Sequence, residues 1–64
     1  MPDNLDIYRS AKILIDRYGP AAEYYAEELF EKHHENADME AADVWLEIIK
    51  AIEVLLDSEG QVLH

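Results

Sequence analysis

Apolar positions recur along this chain at three- and four-residue steps, the period of helices with one buried side. The longest such run spans Asp38 to Asp57. Between Met39 and Leu56, thirteen of eighteen residues are apolar. At 100° per residue, Ala41, Ala42, Trp45, Ile48, Ile49, Ile52, Leu55 and Leu56 share one face, flanked by Val44, Leu46 and Ala51. Glu40, Asp43, Glu47, Lys50 and Asp57 gather opposite, and Val54 falls among them. The apolar arc covers about half the circumference, wider than the roughly 100° needed for one neighbour. This helix therefore expects contact from two directions, from its own chain or from another subunit. Asp38 is placed to cap its start and Gly60 to stop it. The last four residues are too short for an element of their own.

Two further helices precede it. Ile7, Tyr8, Ala11, Leu14, Ile15 and Tyr18 form an amphipathic stripe that leaves Ile13 to one side, with Asp3 or Asn4 as the cap. Tyr18-Gly19-Pro20 is the clearest punctuation: glycine takes the left-handed conformation and proline suits the first position of the next helix. The second helix buries Ala22, Tyr25, Ala26, Leu29 and Phe30, and turns Glu23, Glu27, Glu28, Glu31 and Glu35 outward. Glu28 and Lys32 have the spacing of a favourable surface pair. The segment His34–Ala37 leads to the Asp38 cap. The pattern predicts an all-α, compact three-helix bundle with helices at about 4–18, 20–34 and 38–57, one domain over residues 1–64, and a frayed tail from about 60.

Length changes this picture. Sixty-four residues bury a limited core, and the chain has no cysteine to staple it. Efficient helix packing, oligomerisation or a metal must compensate, and a homodimer is the expected assembly. Charge changes it again. Residues 1–20 hold three acids and three bases; residues 21–64 hold twelve acids and two bases, which is the whole −10. That load disfavours direct nucleic-acid binding and anionic membrane surfaces. It suits solubility first and a basic protein partner second. No apolar run is long enough to span a membrane and no basic-then-apolar leader opens the sequence, so a cytoplasmic protein is expected.

Candidate chemistry is sparse. Glu31-Lys32-His33-His34 is a Glu-x-x-His; on a helix Glu31 and His34 share a face, and Glu27 is one turn back. Di-metal carboxylate proteins use two such motifs, so a homodimer holding a divalent or iron metal is one alternative. The plainer reading is a solvated acidic face whose histidines sit at a helix C-terminus, where a cation is favourable. A DNA mimic, with carboxylates standing for phosphates, is another alternative. Ser10 and Ser58 have no histidine within local reach, and two glycines make no phosphate loop, so no catalytic residue and no cofactor is assigned. For partner binding the candidates are Tyr24, Trp45, Ile49, Ile52, Val54 and Leu56. Tyr24 and Tyr25 point about 100° apart, so at most one is well buried.

Leu14-Ile15-Asp16-Arg17-Tyr18-Gly19, Ala42-Asp43-Val44-Trp45-Leu46-Glu47-Ile48 and Ala51-Ile52-Glu53 together resemble a family of short, uncharacterised helical proteins of alphaproteobacteria. The likeness covers roughly residues 8–56. It implies an all-α domain without a known active site. The segment Glu23–Glu35 is more acidic and aromatic than that family's pattern, and no functional residue is carried over.

Overall fold

In the computed structural model, residues 4–62 are described, the side chains as far as Asp57. They are helical throughout except at 36–38. Helix α1 spans Asn4–Tyr18, a single 3-10 turn follows at Gly19–Ala21, α2 spans Ala22–Glu35 and α3 spans Met39–Val62. The all-α expectation therefore holds. The division into separate first and second helices needs refining: α1 and α2 are joined without a loop, as one helical path bent at Gly19–Ala21. Both lie against α3 far more extensively than against each other. The half-circumference arc of α3 is thus met from two directions by its own chain. The long axis of the molecule, 42 Å, is close to the roughly 36 Å length of a 24-residue helix, so α3 sets the shape.

Each junction has a physical cause. Gly19 has φ +60°, the left-handed conformation that ends α1, and Pro20 follows where its missing N–H is not needed. The rings of Tyr18 and Tyr25 stack across this bend, 4.7 Å apart and 21° from parallel. At the end of α2, the Ala37 N–H donates to the His34 carbonyl and the Asp38 N–H to the His33 carbonyl, at 3.1 and 2.9 Å. This is a Schellman closure, and Ala37 occupies its left-handed position at φ 60°. Asp38 then caps α3. Its Oδ1 accepts from the Ala41 N–H at 3.4 Å, and its Oδ2 lies 3.5 Å from His33 Nδ1. One carboxylate therefore ties the end of α2 to the start of α3.

Two terminal expectations change. Gly60 does not stop α3, which continues through it to Val62. A glycine inside a helix costs about 1 kcal/mol but ends it only where the backbone turns left-handed or a proline follows. No proline follows Gly60 in this sequence. At the other end α1 already includes Asn4, which is therefore helical rather than its cap; Asp3, the other candidate, lies outside the described residues.

The core is thin. It consists of Ile7, Ile48, Ile49 and Ile52 with Ala11, Ala22, Ala26, Ala42 and Ala51. Leu14, Ile15, Phe30, Val44, Trp45, Leu55 and Leu56 pack on it partly buried. Among the described residues, Ile52 is the one large side chain that is fully enclosed. Alanines at the two buried positions of α2 let that helix approach closely but contribute little apolar area.

Candidate functional site

The surface, rather than an interior cleft, holds the features that call for explanation. On α3 the outward stripe carries Met39, Leu46 and Val54, each exposed, between Asp43, Glu47, Lys50 and Glu53. On α1 the outward side carries Leu5, Tyr8 and Ile13, with Leu5 58 % and Ile13 56 % exposed, beside exposed Arg9 and Lys12. Scattered apolar residues are ordinary on a surface. Here they outnumber the enclosed large side chains, and they run along two neighbouring helices.

Between these helices lies an open groove of about 760 Å³. Asn4 and Ile7 of α1 form one wall; Ala41, Val44 and Leu46 of α3 form the apolar remainder; Glu40, Asp43 and Glu47 make an acidic border. Lys50 Nζ lies 3.9 Å from Glu47 Oε1, a surface pair that neutralises little of this border.

A second, shallower depression brings Glu23 of α2 against Glu53 of α3, beside Val54, Leu56 and Asp57. The Glu23 carboxyl is pushed above the ordinary carboxylate range. Partial burial is the first cause, followed by the negative charges of Glu53 and Glu27 and by the hydrogen bond shared with Glu53. Burial first, and then the facing Glu53 carboxylate, disfavour the charged form of Glu23. Tyr24 is 64 % exposed, and its hydroxyl donates to Glu28 one turn on, which raises its pKa. Glu28, expected to pair with Lys32, thus accepts a hydrogen bond from an aromatic hydroxyl.

The six residues singled out for partner binding are distributed unevenly. Tyr24 and Val54 are exposed, and Trp45 and Leu56 are half-buried. Ile49 and Ile52 lie in the chain's own core, at 8 % and 0 % exposure, and present no surface to a partner. Leu5, Tyr8 and Leu46 were not among those candidates, yet they are exposed. Tyr8 fits the periodic stripe but sits at its margin. The sequence signal that separates such residues is their angular distance from Ile7 and Ala11, the positions α1 buries.

Glu27, Glu31 and His34 are all exposed on the outer side of α2. The His34 ring rests against Phe30, with centroids 5.7 Å apart. Among the described residues, no three histidine, aspartate or glutamate side chains converge in a way that would hold a metal. No described helix is long and apolar enough to cross a membrane. A scan against protein-family models and searches of the curated proteins and the solved structures each found no match. The resemblance noted above rests on its quoted residues alone.

Proposed function

We propose that this chain is a non-enzymatic helical interaction module that self-associates, its α1–α2 arm and α3 forming a three-helix unit completed by a second copy. The thin core carries the reading. A chain of 7.4 kDa that fully encloses a single large side chain among its described residues, and has no cysteine for a disulfide, stands at the lower limit of what one hydrophobic core stabilises. Its exposed leucine, isoleucine, valine, methionine and tyrosine side chains supply the area a partner would cover. A standard interface takes roughly 800 Å² from each partner, about one-sixth of the 4875 Å² this chain exposes.

Sedimentation equilibrium and native mass spectrometry test this directly. The expected result is a species of twice 7.4 kDa whose thermal midpoint rises with protein concentration, since association stabilises by mass action. A fully helical species of single-chain mass at every concentration, with a fixed midpoint, overturns it. A basic protein partner is the second reading, favoured by the concentration of the −10 charge in residues 21–64.

A further inference from the structure

We infer that two copies join through a reciprocal contact in which the outer face of α1 of one copy lies on the acidic groove between α1 and α3 of the other. The inference rests on the self-association proposed above and names its surface. Charge decides among the available faces. The outer side of α2 presents Glu27, Glu28, Glu31 and Glu35 against Lys32. The outer side of α3 presents Asp43, Glu47, Glu53 and Asp57 against Lys50, which already lies beside Glu47. Either face set against itself, or against the other, brings carboxylates together at a cost that specific interfaces avoid. The outer side of α1 differs: Arg9, Lys12 and Arg17 outnumber Asp6 and Asp16. It is the one helix face of the described chain on which cations prevail.

That face also carries three exposed apolar residues, Leu5, Tyr8 and Ile13. The groove offers their complement: apolar Ile7, Val44 and Leu46 bordered by Glu40, Asp43 and Glu47. Arg9 and Lys12 of one copy would meet that border while Leu5 and Tyr8 cover the apolar surface. In this arrangement the contact is made twice. Asn4 and Ile7 line the same groove as Glu40 and Glu47, so donor face and receiving groove adjoin at one end of the molecule. A two-fold axis there places each α1 on the other copy's groove and closes the assembly.

Paired charge reversals test this. Arg9→Glu with Lys12→Glu makes the chain more acidic; Asp43→Lys with Glu47→Lys makes it less so. If only overall repulsion mattered, the second pair would tighten the dimer. The reciprocal contact instead requires that each pair alone weaken dimerisation about tenfold or more, and that an equimolar mixture of the two variants recover a heterodimer of near wild-type affinity. Glu27→Lys with Glu31→Lys, equal in charge change to the second pair but on α2, should not weaken the dimer. Circular dichroism confirms helicity in each variant, and recovery in the mixture shows that both are folded. A dimer indifferent to the α1 and α3 reversals, or a mixture that stays apart, overturns the contact while leaving self-association intact. A wild-type monomer at every concentration overturns self-association itself.

Discussion

Ala37 carries a conformational cost that the rest of its turn requires. Its φ of 60° is comfortable for glycine and unfavourable for an L-residue by about 1–2 kcal/mol. Ala37→Gly should therefore raise stability by about 0.5–1 kcal/mol, measured by urea denaturation at fixed protein concentration; an unchanged or lowered midpoint would argue against the Schellman closure described. Glu23 acts through charge. Its folded pKa is raised, so the folded state holds the proton more tightly than the unfolded chain does. The stability that this contributes is present below the unfolded carboxylate value and lost as pH rises through the folded one. Folding should thus become more favourable as pH falls from neutrality into the acidic range in which Glu23 takes up its proton. Glu23→Gln should stabilise the protein near pH 7 by a few tenths of a kcal/mol, modest because solvent screens the site, and flatten that profile. A wild-type profile that falls monotonically with acid would contradict the Glu23–Glu53 pairing.

At the scale of elements, the Tyr18–Tyr25 stack bridges the bend between α1 and α2. Tyr18→Ala and Tyr25→Ala, combined in a double-mutant cycle, should show a coupling of about 0.5–1.5 kcal/mol; additive losses would mean that the rings merely neighbour each other. The bend itself is legible in the sequence, because Gly19 and Pro20 announce it chemically. The Asp38 cap was legible for the same reason. The end of α2 was legible to within a residue, since the Asp38 cap that follows requires a break before it, but its geometry was not: the left-handed position falls on Ala37, a residue type that carries no turn signal. The end of α3 misled in the opposite way, since Gly60 has a turn-former's identity without a turn's surroundings. Exposure followed angular position closely for Ile13, Val54 and Tyr24. Ile49 and Ile52 show the limit of that reasoning for a site: an apolar arc gives the width of what must be covered, not which part of it the chain itself will cover.

For the whole molecule, association and folding are expected to be linked equilibria, association adding to the stability of the folded chain by mass action. Ile52 is central to it: Ile52→Ala should cost about 2–5 kcal/mol, enough to unfold much of the population at low concentration, and raised protein concentration should recover helicity measured by circular dichroism. Recovery that is absent at any concentration would separate the two processes. The loopless joint at Gly19–Pro20 has a further consequence, for exchange between chains. Straightening a hinge and donating an arm to a neighbour is a low-cost route to dimers. Here, Pro20 in the interior of a straightened helix would lack its backbone bond and crowd the carbonyl of Asp16, at about 3 kcal/mol or more. The proline thus holds the arm on its own α3 and makes face-to-face docking the open route. With Gly19→Ala and Pro20→Ala together, that barrier falls, and residues 4–35 become free to form a rod of about 48 Å whose ends belong to two different molecules.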